Sequence, residues 1–451
     1  MVDNLLEYLK NKKIVILGFG KEGKSTYNYI RKKFPDMLLT IADSKEELRK
    51  EVANDKNVIF DSKEEYLNNI DEYDLIIKSP GIPFKQKDIS KYENKITSQL
   101  ALFLDFINVY TIGVTGTKGK STTSSLIYKI LKEQDIDSLL LGNIGDPIFD
   151  NLDIVHENMK VVLELSSHQL EYVKKSTNIS ILLNIFEEHL DHYKSFDKYI
   201  EAKFNIFKYQ KESDFAIYNI DNEMIKQRYN DIKSKKYCIT KQEENIRNDS
   251  IYCRNNMVYF NGKELYDLNQ KRNIIGKHNE YNIMFALGTS EILHLDLDKT
   301  IKSISAYEPL PHRMEFVGIY NDIKFYNDSI ATVPEAVISC IETLTDMNTL
   351  IIGGMDRGVN VSKFIDYLIN SNIENIICMP DTGIYIANQI IDKKIESPKI
   401  YKVENLTQAV ELSKRITRKG TSCVLSPAAV SYGFFKNFEE RGETFKKLVK
   451  E

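Results

Sequence analysis

Short apolar runs alternate with stretches of helical periodicity along most of this 451-residue chain. Each run has the length of one strand, and residues 14–17, 109–114, 161–165 and 349–352 are examples. Because crossover helices connect parallel strands, the alternation is typical of βαβ units. The pattern therefore predicts an α/β protein with parallel sheets covered by helices. One polar stretch, 238–268, departs from this rhythm and is predicted to form a hairpin.

The length of the chain predicts about three domains of ordinary size. Changes in the pattern place their boundaries at residues 1–97, 98–308 and 309–451. The first domain opens with the strand 14–17, the glycine-rich turn 18–23 and a predicted helix over 25–33, which is the start of a Rossmann-like domain. The sequence shows no internal repeat.

The most informative segment is the glycine-rich turn at residues 116–122, Gly-Thr-Lys-Gly-Lys-Ser-Thr. It follows the apolar run 109–114 and precedes a predicted helix over 123–132. Backbone N–H groups and the positive end of a helix then converge on one point, which suits phosphate oxygens. Lys120 would neutralise phosphate charge, and Ser121 has the hydroxyl that such loops present to Mg²⁺. The spacing differs from GxxxxGK[ST], because Val114 stands where that motif has its first glycine.

Composition narrows the classes of partner. Lys and Arg number 61 against 65 Asp and Glu, so the net charge of −4 gives no electrostatic footprint for nucleic acid. No apolar run is long enough to span a membrane, and no signal peptide is recognisable at the start, so a cytoplasmic protein without a membrane partner is expected. The five cysteines form no close pair and are expected to be reduced core thiols.

Glu164 lies inside the apolar run 161–165, where a lone buried carboxylate costs several kcal/mol unless something compensates it. A cation would offset that cost, and P-loop proteins commonly place an acidic metal ligand on a neighbouring strand. The alternative is a carboxylate that is hydrogen-bonded to residues 166–168.

Two further residues suggest a metal or a modified side chain. His189 lies with His192 and three carboxylates just after the apolar run 179–183, where a metal ligand and an ordinary loop residue are equally compatible with the sequence. Lys203 interrupts an apolar stripe formed by Phe196, Ile200 and Phe207. Burial would lower its pKa and leave a neutral amine that can take up CO₂ as a carbamate. In the alternative, the lysine stem packs while its head reaches water.

Other polar loops follow predicted strands. Ligands of open α/β sheets bind at these carboxyl ends. Asn279 could face a nucleotide or cap a helix, and the loop 426–431 could form a site or only a tight turn. The remaining segments of this kind are 18–23, Asp43, 79–82, 327–329 and 353–358.

Taken together, these motifs resemble the Mur ligases of peptidoglycan synthesis. The resemblance covers essentially the whole chain in order and spacing. It implies a Rossmann-like amino-terminal domain, a central P-loop ATPase domain with a parallel sheet, and a Rossmann-like carboxyl-terminal domain. The segments that carry it are 116–122, 163–170, 189–191, Lys203, 310–313 and 436–442.

The resemblance also implies a reaction. ATP would phosphorylate the alanine carboxylate of UDP-N-acetylmuramoyl-L-alanine, and the amine of D-glutamate would displace phosphate to form an amide. Two Mg²⁺ sites, a carbamylated Lys203 and a monomeric protein that closes its third domain around ATP are expected. Lys120, Glu164, His189 and Lys203 would be catalytic.

The binding residues carried over from the family fall into four groups. The ATP group is Gly116, Thr117, Lys118, Gly119, Lys120, Ser121, Thr122, Asn279, Arg313 and Asp328. The metal group is Ser121 and Glu164 for one ion, with His189 and carbamylated Lys203 for the second. The UDP-substrate group is Gly18, Phe19, Gly20, Lys21, Asp43, Ser79, Pro80, Gly81, Asn143 and Ser166. The glutamate group is Thr332, Arg357, Ser431 and Phe438.

Two positions depart from the family pattern. Ile330 stands where relatives often have lysine, and Arg357 stands where some relatives have lysine. A planar guanidinium is not equivalent to an ammonium, so the amino-acid pocket is the part most affected.

Three other functions compete with this prediction. Another Mur ligase or a folylpolyglutamate-type ligase would use a different acceptor or amino acid. The turn at 18–23 with Asp43 also suits a nicotinamide dinucleotide enzyme. A nucleotide-dependent switch would bind ATP without making a bond.

Overall fold

The computed structural model of the protein describes residues 2–62, 70–82, 84, 89–188, 190–193, 195–395 and 397–451, without the side chains of residues 190 and 191. Over these residues the chain forms three sheets. It divides into two compact units, one of Met1–Arg272 with His278–Tyr307, the other of Asn273–Lys277 with Glu308–Glu451. The three predicted domain boundaries remain a prediction.

The first unit begins with a five-stranded parallel sheet in the order β3-β2-β1-β4-β5. Its strands are short and apolar, and β1, β2 and β4 are buried over their whole length. The elements of this part are α1 (Asp3–Leu9), β1 (Ile14–Leu17), α2 (Lys21–Lys33), β2 (Leu39–Ala42), β3 (Val58–Asp61), β4 (Leu75–Lys78), β5 (Ile96–Thr97) and α3 (Gln99–Phe106).

The same unit contains a nine-stranded sheet in the order β14-β13-β12-β11-β10-β9-β6-β8-β7. All neighbouring strands from β12 to β7 in this order pair in parallel, whereas β12, β13 and β14 pair antiparallel. The elements are β6 (Tyr110–Thr115), α4 (Lys120–Lys132), β7 (Ser138–Gly142), β8 (Lys160–Glu164), α5 (Ser167–Leu170), β9 (Ile179–Leu182), α6 (Leu190–Tyr193), α7 (Phe196–Lys208), β10 (Phe215–Asn219), α8 (Glu223–Lys226), β11 (Lys235–Thr240), β12 (Ser250–Arg254), β13 (Met257–Phe260), β14 (Lys263–Asp267), α9 (Lys277–Ile292) and α10 (Leu297–Ser305).

The second unit has a six-stranded sheet in the order β15-β16-β20-β17-β18-β19. All neighbours are parallel except β15 and β16. The elements are β15 (Glu315–Tyr320), β16 (Ile323–Asn327), α11 (Pro334–Thr343), β17 (Met347–Gly354), α12 (Ser362–Ile369), β18 (Asn375–Asp381), α13 (Thr382–Asp392), β19 (Lys399–Lys402), α14 (Leu406–Ile416), β20 (Ser422–Leu425) and α15 (Phe438–Lys450).

One apolar core continues through both sheets of the first unit. It joins Leu5 and Ile14 of the amino-terminal sheet to Phe103 of α3, and then to Phe149 and Val161 of the central sheet. Because α3 is buried on nearly all sides, it packs against both sheets at once. The two sheets of this unit are therefore parts of one folded body.

The α/β prediction with parallel sheets is confirmed. The predicted hairpin region is confirmed in part, since β12, β13 and β14 are antiparallel, whereas β11 pairs in parallel with its neighbours. All five cysteines are buried and free. Among the helices that the structure describes, none is long and apolar enough to cross a membrane.

Candidate nucleotide and substrate sites

The glycine-rich turn leads from β6 directly into α4, as the sequence predicted. Gly119 precedes the helix with φ of 88°, in the left-handed region that favours glycine. A Cβ atom there would lie 2.6 Å from Oδ1 of Asn282, so a larger residue would also clash. The first turn of α4 contains no acidic residue. The amino-terminal end of α4 therefore presents backbone N–H groups and positive charge at one place, which suits an anion.

The ammonium of Lys120 lies inside this turn. Its Nζ donates to the carbonyl oxygens of Gly116 at 2.9 Å and Thr117 at 3.0 Å. These bonds hold the lysine head within the curve of the loop, where its charge adds to that of the helix terminus. A phosphate would exchange these carbonyl contacts for charge-assisted bonds, which are stronger.

The loop is held from the neighbouring strand β9 by Asn184, which sequence reasoning did not select. Its backbone oxygen accepts from Thr117 N at 2.9 Å, and its side chain accepts from Lys118 N and donates to Lys118 O. Asn184 lies just past the carboxyl end of β9, and that position was the only signal in the sequence. It fixes the first half of the loop in place.

Helix α9 supports the loop from another side through two asparagines. Asn282 accepts a hydrogen bond from Thr123 Oγ1 at 3.1 Å and donates to Asn279 Oδ1 at 2.8 Å. The helix begins at Lys277, so Asn279 lies in its first turn and does not cap it. The helix-cap interpretation of Asn279 is therefore wrong, and the contact through Asn282 places Asn279 close to the loop.

Glu164 ends β8, the strand beside β6, and is 1% exposed. Its Oε1 accepts from Asn143 Nδ2 at 3.0 Å. Within the described ranges, Oε2 is buried and has no hydrogen-bond partner. The alternative interpretation, a carboxylate bonded to residues 166–168, is therefore not what the structure shows. A buried carboxylate oxygen without a donor is the environment that a bound cation satisfies.

No three His, Cys, Asp or Glu side chains of the described residues cluster in a way that would hold a metal by themselves. Magnesium sites at nucleotides usually have few protein ligands, because phosphate oxygens and water complete the shell. Glu164 with the hydroxyl of Ser121, the second residue of α4, fits a site of that kind.

Lys203 in α7 is buried at 1% exposure, which excludes the interpretation that its head reaches water. Its Nζ donates to the oxygen of Gly116 at 2.9 Å, the same carbonyl that Lys120 contacts, and lies 4.8 Å from the ring centre of Tyr199. Burial and the nearby Lys120 ammonium lower the pKa of Lys203 well below its ordinary value, although Glu188 opposes them. The side chain is thus a candidate neutral amine at the base of the loop.

His189 lies outside the described residues, and its predicted metal role stays a prediction. Its neighbour His192 is described. His192 contacts Glu171 Oε2 at 3.3 Å and packs edge-on against His168. His192 is therefore occupied by other side chains of the first unit.

The predicted UDP-binding loops meet at the carboxyl edge of the amino-terminal sheet. Gly18 follows β1, Asp43 follows β2 and Ser79 follows β4. Asp43 Oδ2 accepts from Phe19 N at 2.7 Å, and Ser79 Oγ donates to Gly18 O at 2.9 Å. Pro80 and Gly81 continue the loop from Ser79, and Gly20 immediately precedes α2. The structure brings these predicted residues together around the first glycine turn.

The central sheet contributes its own residues to the same region. Lys21 Nζ donates to Gly145 O at 2.8 Å, and Gln169 Nε2 donates to Glu22 Oε1 at 2.6 Å. Ser166 caps α5 and accepts from Gln169 N. Asn143 lies two residues before Gly145 and bonds to Glu164. The first unit thus connects the predicted UDP-binding loops to the carboxylate of Glu164.

In the second unit, Asp328 follows β16 and is buried. Its oxygens accept from Met314 N at 3.1 Å and Ser426 Oγ at 2.8 Å. Burial raises the pKa of Asp328 to about 7, and the opposing effects come from these hydrogen bonds and from the Arg313 charge. Asp328 and Arg313, both predicted to bind ATP, are therefore neighbours.

This raised pKa predicts a pH effect on stability. The folded protein holds the Asp328 proton more tightly than the unfolded chain, whose ordinary value is 3.8. The stabilisation is complete below that value and is lost as pH rises towards 7. We expect wild type to lose about 2 kcal/mol relative to Asp328→Asn between pH 5 and pH 7. Denaturant unfolding of both proteins at each pH measures this, and parallel pH curves would contradict it.

The four residues predicted for glutamate lie at one edge of the second sheet. Thr332 follows β16, Arg357 follows β17 and is exposed, Ser431 follows β20 and is buried, and Phe438 begins α15. A cavity of about 130 Å³ is lined partly by Ser431, Gly353 and Gly354. The structure brings these segments together, and Arg441, which the sequence analysis did not select, also lines the cavity.

Three family models match consecutive parts of the chain. They are the Mur ligase MurD-like N-terminal domain over residues 12–98, the Mur ligase middle domain over 114–290, and the Mur ligase glutamate ligase domain over 312–429.

Curated proteins similar to this chain include three with the name UDP-N-acetylmuramoylalanine--D-glutamate ligase. The protein of Geobacter sp. strain M21 is 31% identical over 98% of this chain and 98% of its own. That of Clostridioides difficile is 30% identical over 98% and 99%, and that of Fusobacterium nucleatum is 34% identical over 97% and 99%.

Solved structures show the same fold at lower identity. UDP-N-acetylmuramate-alanine ligase MurC of Thermotoga maritima is 19% identical with a TM-score of 0.61, covering 98% of this chain and 99% of its own. MurF of Acinetobacter baumannii is 13% identical with a TM-score of 0.62, covering 97% and 93%.

Proposed function

Because this chain belongs to the Mur ligase family, we propose that it is an ATP-dependent ligase that joins D-glutamate to UDP-N-acetylmuramoyl-L-alanine. The reaction forms ADP and phosphate and is a step in peptidoglycan precursor synthesis. The observation that carries the proposal is the likeness, over at least 97% of this chain, to proteins named for that activity.

In the first step, the alanine carboxylate attacks the γ-phosphorus of ATP, and an acyl phosphate and ADP result. Two anions must approach each other, so positive charge at the phosphates lowers the barrier. We propose that the amides of residues 116–122 and the Lys120 ammonium provide that charge. Lys120 would turn from the oxygens of Gly116 and Thr117 to the phosphate. Because Asn184 and Asn282 already hold the loop, little ordering is left to occur on binding.

In the second step, the amine of D-glutamate attacks the acyl carbon, a tetrahedral intermediate forms, and phosphate leaves. The acyl phosphate is sensitive to water. Glu164 and Lys203 are both almost fully buried, which supports a reaction centre that is shielded from solvent at this end of the sheet.

We propose that Ser121 and Glu164 hold one Mg²⁺, and that His189 with a carbamylated Lys203 holds a second. When bound, Mg²⁺ supplies charge that neutralises phosphate oxygens. The unpartnered oxygen of Glu164 supports the first site. The buried amine of Lys203, with its lowered pKa, supports the carbamate, because CO₂ adds to a neutral amine. The carbamate would convert the buried amine into an anionic ligand.

The remaining contacts are proposed from the family resemblance. Gly18, Phe19, Gly20, Lys21, Asp43, Ser79, Pro80, Gly81, Asn143 and Ser166 would bind the UDP substrate. In the second unit, Arg313 and Asp328 would contribute to nucleotide binding, as Asn279 would in the first. Thr332, Arg357, Ser431 and Phe438 would bind glutamate.

The test is an ATP-coupled assay of phosphate release with UDP-N-acetylmuramoyl-L-alanine and single amino acids. We expect turnover with D-glutamate, and turnover with L-glutamate at least about 100-fold lower, since the site must place one enantiomer's amine at the acyl carbon. Preference for diaminopimelate, alanine or a folate acceptor would indicate a different ligase.

Two other functions would give distinct results in the same experiment. A nucleotide switch would release phosphate without requiring both acceptor and amino acid. A dehydrogenase would bind NAD(H) tightly in a fluorescence titration. The likeness to ligases along the chain favours neither of them.

A further inference from the structure

The guanidinium of Arg441, in α15, is buried among backbone carbonyls. Arg441 is 1% exposed, although it carries a charge. Its Nε donates to Ser329 Oγ at 3.0 Å, and Nη2 donates to the backbone oxygens of Ser329 at 2.9 Å and Ala429 at 3.0 Å. All of these acceptors are uncharged.

This one group reaches the carboxyl ends of three adjacent strands. Ser329 follows β16, Ala429 follows β20 and Gly354 ends β17, and these strands are neighbours in the order β16-β20-β17. Gly354 has φ of 146°, and a Cβ atom there would lie 3.0 Å from Nη1 of Arg441. The glycine therefore allows the backbone of β17 to approach the guanidinium closely.

A fourth segment is attached through Ser329. Its Oγ, which accepts from Arg441, donates to the backbone oxygen of Phe438 at 2.8 Å. Phe438 is the first residue of α15. Arg441 thus fixes the start of its own helix against the loop that follows β16.

The segments that Arg441 bonds to, approaches closely or reaches through Ser329 are those that carry the residues proposed for glutamate. Thr332 lies three residues after Ser329, Arg357 three after Gly354, and Ser431 two after Ala429. Phe438 is itself one of the contacts. The cavity of about 130 Å³ beside Ser431 is lined by Arg441, Gly353 and Gly354 as well. One guanidinium therefore lies against or is bonded to the segments after β16, β17 and β20 that carry proposed glutamate contacts.

Stability alone is a poor reason for this arrangement. Within the described residues, Arg441 has no acidic hydrogen-bond partner, and its buried Nη1 has no partner at all. Burial lowers the pKa of Arg441 to about 10, which reflects the cost of keeping the charge there. Apolar residues of similar volume are often neutral or stabilising at such positions. A buried cation whose donors are divided among separate loops indicates a geometric role.

We propose that Arg441 is a positioning residue for the amino-acid site, which it builds by fixing the loops after β16, β17 and β20 and the start of α15. The inference rests on the proposed ligase function. Arg441 acts through these segments and sets how well the pocket fits glutamate.

The test compares Arg441→Met and Arg441→Lys with Ser329→Ala, and uses Arg418→Met as the matched control. Arg418 lies in the same unit, is exposed and pairs with Glu374. We expect Arg441→Met to raise the KM for D-glutamate at least about tenfold, with the KM values for ATP and the UDP substrate within about twofold. Arg441→Lys, which keeps the charge and one donor group, should recover part of the loss. Ser329→Ala should raise the same KM about threefold, and the control should not change it.

Two outcomes overturn the proposal. One is an unchanged KM for the amino acid in folded Arg441→Met. The other is an equal rise of all three KM values with a lower Tm, which indicates a structural role. If Arg441→Met does not fold, the test is made with Ser329→Ala. An unchanged KM for the amino acid in that variant overturns the inference. Wild type is assayed first with several amino acids. If it turns over an amino acid other than D-glutamate, the proposed function is contradicted. The variants are then compared with wild type on the amino acid that wild type does use, so the role of Arg441 is still tested.

Discussion

Substitution of Lys203 by alanine is expected to lower kcat at least about 10³-fold, a loss comparable to that of a principal electrostatic group in an active site. In the structure, the lysine amine donates a hydrogen bond to Gly116 O at the base of the glycine-rich turn and is shielded from water. Removal of the side chain would remove the proposed carbamate and leave a space where it stood. A steady-state assay of phosphate release measures the effect.

A small carboxylic acid, such as acetate or formate, should restore part of the activity of Lys203→Ala. It would supply the anionic oxygens that the carbamate provides. The matched control is Lys208→Ala, because Lys208 lies in the same helix α7 and is exposed. That variant should retain full activity and should not respond to the added acid. Unimpaired turnover of Lys203→Ala would end the carbamate hypothesis.

Substitution of Glu164 by glutamine is expected to remove Mg²⁺-dependent phosphate release, with a loss of about 10²- to 10³-fold in kcat. Glutamine keeps the oxygen that accepts from Asn143 but removes the negative charge. The substitution also removes the cost of burying a carboxylate whose Oε2 has no hydrogen-bond partner within the described part of the chain. We therefore expect its Tm without magnesium and nucleotide to equal or exceed that of wild type.

The thermal shift produced by Mg²⁺ with a non-hydrolysable ATP analogue separates a metal ligand from a structural residue. The Tm of wild type should rise when Mg²⁺ and the ATP analogue are both present, because ligands that bind only the folded state stabilise it. Glu164→Gln should lose most of the part that depends on magnesium. Asn143→Asp offers a comparison that changes charge beside the same carboxylate. Normal kinetics and a normal shift in Glu164→Gln would place the metal elsewhere.

Much of the fold follows from local pattern. Strand β1 has the predicted bounds, and the helix after the glycine-rich turn at 116–122 ends at Lys132 as predicted. Its start was placed three residues late, and helix α2 begins at Lys21, four residues before its predicted start. Both differences have the same cause: a helix begins directly after its glycine, so polar residues of the turn belong to the first helical turn.

The buried residues of the candidate site were predictable where they break a pattern. Glu164 interrupts an apolar strand and Lys203 an apolar helical face, and each is almost fully buried. The sequence could not decide whether Lys203 reaches water or whether Glu164 is hydrogen-bonded to the segment that follows it. The first outcome depends on how α7 packs against the glycine-rich turn, where Lys203 donates to Gly116 O. The second depends on the neighbouring segment that brings Asn143 to Glu164. Both contacts join residues that are distant in the sequence.

Asn184, Asn282 and Arg441 break no periodic pattern and were not selected as site residues, although Arg441 lies in the segment 436–442 that carries the family resemblance. Each is a polar residue at an ordinary position of a loop or helix, and its importance comes from partners far along the chain. Asn282 meets Thr123 across 159 positions, and Arg441 meets Ser329 across 112. Hydrophobic periodicity reports on one helix or strand at a time, so it cannot indicate hydrogen bonds between residues that are far apart in the sequence.

The apolar core that runs from the amino-terminal sheet through α3 into the central sheet cannot be split between two protein fragments without exposing apolar surface. A fragment that starts near residue 98 would keep α3 but lose the amino-terminal sheet that packs against it, so apolar surface of the helix, including Leu100 and Phe103, would be exposed to water. Such a fragment would be prone to aggregate. Chimeras that exchange pieces between related enzymes should therefore transfer residues 1–307 as a single block, so that α9 and α10 stay with the rest of the first unit, and make their junction after Tyr307.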